Sequence, residues 1–298
     1  MIVGAVDIGT NSMRLLVTDG RREFVRDVVV TGLGYGVDAT GRFDPNRVEE
    51  TLAVLSRYGE IMDGYRVDRR RAVATSATRD ASDGARFVER ATAVLGVEPE
   101  VITGTEEASL SFLGAVGERS TDGPAVVVDI GGGSTEFVYG TRSVVEYAAS
   151  IDLGSARLTE RVVPGRPASE EEMAAARETV AAAFSGIELP GPPAVVVGVA
   201  GTFTSLAAIA LDLTSYDRDR VDGSVLTAAT IRMQISDLSR RTIEETEAIP
   251  SLDPRRAPVI LAGALVAEGA LEAIAADHIE VSEHDLLDGV ARSLLRTA

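Results

Sequence analysis

The 298-residue chain has the length of about two domains, and its 45% hydrophobic but only 4% aromatic content suits an aliphatic α/β core. A net charge of −17 argues against nucleic acid as a general partner, and the absence of cysteine excludes disulfides, thiolate nucleophiles and sulfur-ligated metal. All 29 basic residues are arginine, which excludes a Walker-type lysine and Schiff-base chemistry. No apolar run reaches the roughly 18 residues needed to cross a bilayer, and the N-terminal segment meets Asp7 and Arg14 too early for a secretory signal. A cytoplasmic protein with no membrane partner is expected.

In chain order, Ile2 to Val6, Met13 to Thr18 and Phe24 to Val30 read as three strands. Asp44-Pro45 opens a helix whose apolar stripe is Val48, Leu52, Leu55, Tyr58 and Met62. Arg71 to Thr75 resembles a short strand, after which Ser82 is a candidate cap for a helix carrying Phe87, Ala91, Val94 and Leu95 and stopped by Gly96. Glu100 to Thr103 is a further strand, leading through Gly104 into a helix from about Thr105. A polar stretch, Gly117 to Pro124, then separates two halves.

The second half restarts with strand, glycine-rich loop and strand over Ala125 to Gly140, which points to an internal duplication. Ser169 and Glu172 fit a capping box for a helix ending before Pro190, and Pro192-Pro193 precedes a buried strand, Ala194 to Val199. That strand enters a third glycine turn, Gly198 to Thr202, ahead of a helix over Phe203 to Leu211 whose N-terminus offers N–H groups to a phosphate. His278 and His284 have no second histidine at metal-ligand spacing and read as surface or structural residues. The arginine clusters at 69–71, 240–241 and 255–256 read as solvated faces, with the rim of a groove for a polyanion as the alternative. Leu286, Leu287, Val290, Leu294 and Leu295 mark a final helix that packs as core.

Two loops carry the chemistry: Asp7-Ile8-Gly9-Thr10-Asn11-Ser12 and Asp129-Ile130-Gly131-Gly132-Gly133-Ser134-Thr135. Each follows an apolar run and sets one acid before glycines and hydroxyls, which can turn backbone N–H groups towards an anion. An acid beside phosphate donors suggests a bridging metal. A single copy is also an ordinary hairpin turn, since all these residues favour turns; two copies favour phosphate chemistry.

The chain resembles the exopolyphosphatase / guanosine-pentaphosphate phosphohydrolase family over essentially its full length. The resemblance rests on the Asp7 to Ser12 loop with Arg14, on Ala74-Thr75-Ser76-Ala77-Thr78-Arg79-Asp80-Ala81, on Gly104-Thr105-Glu106-Glu107-Ala108, on Asp129 to Glu136 and on Gly201-Thr202. It implies an α/β fold of two duplicated actin-like (ribonuclease H-like) domains, residues 1–120 and 121–298, with a cleft between them that holds the active site. The family gives one glutamate of the Glu106-Glu107 pair to the attacking water, and its spacing favours Glu107; otherwise both are first-turn acids complementing a helix dipole. Asp129 and Glu136 are implied as the metal pair, with Asp7 contributing directly or through water, and their oxygens suit Mg²⁺ or another divalent cation. Arg79 can fork onto phosphate oxygens or pair with Asp80 or Asp83. Asn11, Ser12, Arg14, Gly132, Gly133 and Ser134 are the implied phosphate donors, with Arg14 alternatively an outward strand residue.

The implied activity is metal-dependent release of terminal phosphate from inorganic polyphosphate. The alternatives are hydrolysis of guanosine pentaphosphate and, from another class, an actin-fold phosphotransferase or a regulator that binds nucleotide without turnover. Val199-Ala200 stands where nucleotide-binding relatives usually carry another glycine, which disfavours tight nucleotide binding at the third turn. The chain also stops where longer family members continue into a helical region. That ending and the net charge lead to an expected preference for short polyphosphates released distributively. The resemblance leaves room for a homodimer.

Overall fold

The N-terminal apolar runs and tight turns fold into an antiparallel meander, β1 (Val3–Ile8), β2 (Ser12–Thr18) and β3 (Glu23–Val30). This is seen in a computed structural model that describes residues 1–117, 123–142 and 144–296. Next come α1 (Val37–Thr40), α2 (Pro45–Gly64), β4 (Arg69–Ala74), α3 (Ser76–Asp80), α4 (Gly84–Leu95), β5 (Pro99–Val101) and α5 (Gly104–Val116). The strand order is β3-β2-β1-β4-β5, with β4 parallel to β1 and β5 parallel to β4. Asp44 caps α2, accepting from the N–H groups of Asn46 and Arg47, and Pro45 sits in the first turn where its missing N–H costs nothing. The expected stripe from Val48 to Met62 is buried. At α4, two expectations fail: Ser82 does not cap the helix, because its hydroxyl donates to the Gly41 carbonyl, and Val94 is exposed. Gly96 ends α4 at a φ of 74°, as a C-terminal glycine should.

The second half contributes β6 (Ala125–Ile130), β7 (Thr135–Gly140), β8 (Val145–Ile151), α6 (Ser155–Val162), α7 (Glu170–Phe184), β9 (Val195–Val199) and α8 (Ala200–Ala210). It continues through α9 (Arg218–Val221), β10 (Val225–Thr227), α10 (Ala228–Leu238), α11 (Ile243–Glu247), α12 (Ile260–Ala273) and β11 (His278–Val281). Its strand order is β10-β11-β9-β6-β7-β8. Leaving aside the antiparallel edge strand β10, this repeats the first sheet strand for strand, with β6, β7, β8, β9 and β11 in the places of β1 to β5. The fold is therefore α/β with two duplicated actin-like units. Ser169 and Glu172 form the capping box expected at α7. The core of this unit gathers around α12, buried from Ile260 to Leu271 almost without interruption. A helix apolar all round shows no periodic stripe by which it can be recognised.

The chain closes with α13 (Leu286–Arg296), whose Leu286, Leu287, Val290 and Ala291 join Val3, Ala5, Leu16, Val73, Ile102 and Leu110 in one buried cluster. By packing, the first compact unit is Met1–Gly114 with His284–Ala298, and the second is Ala115–Glu283. A division at residues 120/121 assigns α13 to the second unit; its apolar face assigns it to the first. That boundary and most of the polar stretch around it fall on residues 118–122, outside the described residues.

Candidate active site

In the first unit the Asp7 loop is a tight hairpin, closed by Gly9 N–H donating to the Ser12 carbonyl at 3.1 Å. The plain turn reading is thus geometrically right, and the question is what the turn presents. The segment after β3 answers it. Thr31 and Gly32 donate their N–H groups to the Asn11 carbonyl at 3.0 Å each, and Gly34 donates to the Thr10 carbonyl at 2.8 Å. In a planar trans peptide the next residue's N–H points opposite to the carbonyl. The N–H groups of Asn11 and Ser12 therefore face away from this covering segment, as an anion site requires.

The Gly131 loop of the second unit is built alike, closed by Gly131 N–H to the Ser134 carbonyl at 3.0 Å. Here Ser155 donates to the Gly131 carbonyl at 3.0 Å, and Ala156 and Arg157 donate to the Gly132 carbonyl at 2.9 and 3.1 Å. By the same geometry the N–H groups of Gly132 and Gly133 face away from the covering segment. Each cover contains a Leu-Gly pair, Leu33-Gly34 and Leu153-Gly154, the leucine buried and the glycine pressed on its loop. A Cβ at Gly34 would lie 2.4 Å from Thr10 Cγ2, and one at Gly154 would lie 2.6 Å from the Gly132 carbonyl carbon. These pairs escaped the sequence reading, although a Leu-Gly after the third strand of each half is a legible repeat.

The two hairpins differ in the residue opposite the aspartate. On β1 and β2, Asp7 stands across from Arg14; on β6 and β7, Asp129 stands across from Glu136. Directly opposed residues share a sheet face with Cβ atoms about 5 Å apart. Asp129 and Glu136 are both buried, Glu136 almost completely, and Ser150 donates its hydroxyl to Glu136 Oε1 at 2.7 Å. Two buried carboxylates this close repel unless positive charge compensates them, and hard oxygen donors suit a magnesium-sized cation, so the donor set fits. Arg14 is an ion-pair residue: its Nη1 bonds Asp285 and its Nε lies 3.8 Å from Asp7 Oδ2.

Around Arg79 the structure separates the paired glutamates. Arg79, in the last turn of α3, donates from Nη1 to Glu107 Oε2 at 2.9 Å and to the Ile102 carbonyl at 2.8 Å. Neither Asp80 nor Asp83 takes that bond. The Glu107 side chain is 10% exposed; that of Glu106 is 45% exposed and pairs with Arg71, which also holds Glu100. Thr10 and Ser76 share a hydroxyl hydrogen bond at 2.8 Å, tying the hairpin to the Thr75 to Arg79 turn. The Thr75 N–H reaches the Ile8 carbonyl at 3.2 Å.

The third turn holds Thr202, which donates to the Ile130 carbonyl at 3.2 Å, and Ala200, whose φ of 68° lies in the left-handed region. An alanine there is strained where glycine is not. The face of Gly201 is covered by Arg256, since a Cβ at Gly201 would fall 1.7 Å from Arg256 Nη1. Nearby, burial first and Glu283 second push the Tyr216 hydroxyl well above its usual pKa. The other arginine clusters are engaged within their own units: Arg70 with Asp63, Arg71 with Glu100 and Glu106, Arg69 with the Leu294 carbonyl, Arg240 with Ser236 and Arg241 with Asp237.

Both histidines pair with aspartates. His278 pairs with Asp277, and His284 Nδ1 lies 2.9 Å from Asp288 Oδ1. Glu23, His284 and Asp288 bring ligand atoms within 4.8 Å of one another, the one such trio among the described residues. Arg26 is already there, bonded to Glu23 at 2.8 Å and to Asp288 at 2.6 Å. A guanidinium inside the trio supplies the charge a cation would bring, so this donor set fits a metal poorly. Burial alone would raise the Asp288 carboxyl, but the His284 hydrogen bond and the Arg26 guanidinium hold it well below the usual carboxylate range.

The Ppx/GppA phosphatase family model matches residues 22–298. Exopolyphosphatase 2 of Mycobacterium tuberculosis is 41% identical over 98% of this chain and 98% of its own. Among solved structures, an exopolyphosphatase-like protein superimposes with a TM-score of 0.94 at 35% identity, covering 100% of this chain and 99% of that one. The Aquifex aeolicus member of the Ppx/GppA family superimposes with a TM-score of 0.83 at 34% identity, covering 100% and 98%.

Proposed function

The chain belongs to the Ppx/GppA phosphatase family, and on that premise we propose that it is an exopolyphosphatase, hydrolysing the terminal phosphoanhydride of inorganic polyphosphate to release orthophosphate. The observation that carries the reading is the duplicated hairpin with N–H groups turned from its cover, combined with a buried Glu107 held by Arg79. Phosphoryl transfer passes through a loose transition state, so the protein mainly positions groups and neutralises charge. Glu107 orients the attacking water and accepts its proton late. Arg79 fixes the Glu107 carboxylate through Nη1, which leaves the rest of its fork for phosphate oxygens. The N–H groups of Asn11, Ser12, Gly132 and Gly133 and the Ser134 hydroxyl bind the phosphates.

Asp129 and Glu136 would hold Mg²⁺ or another divalent cation, with Asp7 contributing directly or through water. The bound cation supplies neutralisation of phosphate charge. No helix among the described residues is long and apolar enough to cross a membrane, and we place the protein in the cytoplasm. A net charge of −17 repels a long polyanion, which supports short polyphosphates as the preferred substrates.

The test is phosphate release from polyphosphate and from guanosine pentaphosphate side by side, with a nucleoside diphosphate added in a third arm. Faster release from polyphosphate, unchanged by the diphosphate, is the expected result. Preference for the pentaphosphate would make the chain a guanosine pentaphosphate hydrolase, and phosphorylation of the diphosphate would make it a phosphotransferase. The strained Ala200 and the arginine over Gly201 both favour the first outcome.

A further inference from the structure

The first unit alone carries two parts of the chemistry read above, the hairpin N–H groups of Asn11 and Ser12 and the Arg79-Glu107 pair. They lie on separate stretches of chain, so their spacing is set by whatever joins the hairpin to α3. Three contacts do so. Thr75 donates its N–H to the Ile8 carbonyl at 3.2 Å, and Gly34 lets Ala77 close on the cover, since a Cβ at Gly34 would lie 3.0 Å from Ala77 Cβ. Between these, Thr10 and Ser76 share a hydroxyl hydrogen bond at 2.8 Å, with both residues buried. Thr10 directly precedes Asn11, and Ser76 opens α3 three residues before Arg79. The second unit lacks this pair. Val73 and Val199 stand beside Asp7 and Asp129 on the neighbouring parallel strands, so Ser76 and Thr202, each three residues on, hold the same place. Thr10 has Gly132 as its counterpart, which offers no side chain, and Thr202 donates to the Ile130 carbonyl instead. Where the first unit has Arg79, the second has Ser205. The hydroxyl pair thus belongs to the copy whose turn leads to Arg79 and Glu107.

We propose that Thr10 and Ser76 are positioning residues for the hydrolysis: their bond fixes Arg79, and through it the Glu107 carboxylate, against the turn that binds phosphate. This rests on the roles given above to Glu107 and to the hairpin N–H groups. Attack on phosphorus needs the water and the phosphate aligned, so a small drift of α3 from the hairpin is costly in the transition state. The hairpin keeps its own closing bond from Gly9 to Ser12 when the hydroxyl pair is broken. Loss of the pair therefore falls on turnover and leaves substrate affinity largely in place.

The test is steady-state phosphate release from polyphosphate by the full chain, with thermal unfolding of each variant alongside. Thr10→Val keeps the methyl that packs at Gly34 and removes the hydroxyl; Thr10→Ser does the reverse. Thr10→Val should lower kcat roughly tenfold, less than a full 1 Å misplacement costs, with KM within about threefold of wild type. Thr10→Ser should keep kcat within about twofold, although it is the variant that loses packing. A purely structural role predicts losses that follow thermal stability in both variants. Ser76→Ala should match Thr10→Val, and the double variant should be no slower than either single one, because the two act through one bond. If Ser76→Ala folds poorly, the contrast between valine and serine at position 10 carries the test. Wild-type kcat in folded Thr10→Val, equal losses in Thr10→Ser and Thr10→Val, or losses that multiply in the double variant overturn the inference. Glu107→Gln keeps the two ideas apart. If it turns over as wild type does, the reading of Glu107 fails and this inference with it; if it is crippled while Thr10→Val is not, only the inference falls.

Discussion

The two hairpins share a turn, a Leu-Gly cover and N–H groups turned from that cover, yet they part at the position opposite the aspartate, where the first carries Arg14 and the second Glu136. The backbone half of the proposed phosphate site is therefore duplicated and the side-chain half is not. One copy sets across from its aspartate a guanidinium that is bonded to Asp285; the other sets two buried carboxylates face to face, a donor pair whose chemistry suits a cation. On the proposed reading the duplicated scaffold binds anions twice, and the residue opposite each aspartate sets which copy holds metal.

The largest effect should come from the acid that belongs to neither hairpin. Glu107→Gln is expected to lower kcat by about 10²–10⁴ while polyphosphate still binds, and Glu106→Gln to stay within a few-fold of wild type. Equal losses in steady-state kinetics would show that the burial contrast between the two glutamates does not mark their roles.

Next in size is the buttress of the first hairpin. Asp288→Asn leaves Arg26 with Glu23 as its remaining carboxylate partner and should cost about 1–3 kcal/mol in denaturant unfolding. The sign with pH follows from the depressed pKa: the native state holds the carboxylate ionised below the unfolded value of about 3.9, so its stabilisation is complete above that pH and lost as pH falls further. Wild type should thus lose stability more steeply than Asp288→Asn below about pH 4. Parallel acid-unfolding curves would remove the ion pair from the account of the first unit.

The metal half of the comparison is sharpened by Asp129→Asn and Glu136→Gln, each expected to raise the half-saturating Mg²⁺ concentration about 10–100-fold, with a smaller rise for Asp7→Asn. A larger rise for Asp7→Asn would reverse the assignment of the two copies. The smallest effect belongs to the third turn. Ala200→Gly relieves a left-handed alanine, worth about 1–2 kcal/mol, against the extra chain entropy of glycine, about 0.5–1 kcal/mol. Thermal unfolding should show a gain of about 1 kcal/mol or less.

Much of this was legible in the sequence because it lies in short-range pattern. The acids, glycines and hydroxyls of both loops, the cap and stripe of α2 and the box at α7 each sit within a few residues, where periodicity and turn chemistry act. What was missed depends on residues far apart in sequence. The bond of Arg14 to Asp285 joins positions 271 apart, and α12 shows no stripe because nearly every face of it is buried. The split of Glu106 from Glu107 needed Arg71 and Arg79, which only the sheet brings to them. The C-terminal helix was correctly read as packed core and assigned to the wrong unit, since an apolar stripe says that a face is covered and not by what.

The most direct test of the central claim is the anomalous scattering of Mn²⁺ in crystals of the wild-type protein with a polyphosphate analogue. The account predicts a Mn²⁺ peak within about 2.0–2.2 Å of the Asp129 and Glu136 carboxylates and none between Glu23, His284 and Asp288. A peak in that trio with none at the second hairpin would contradict it.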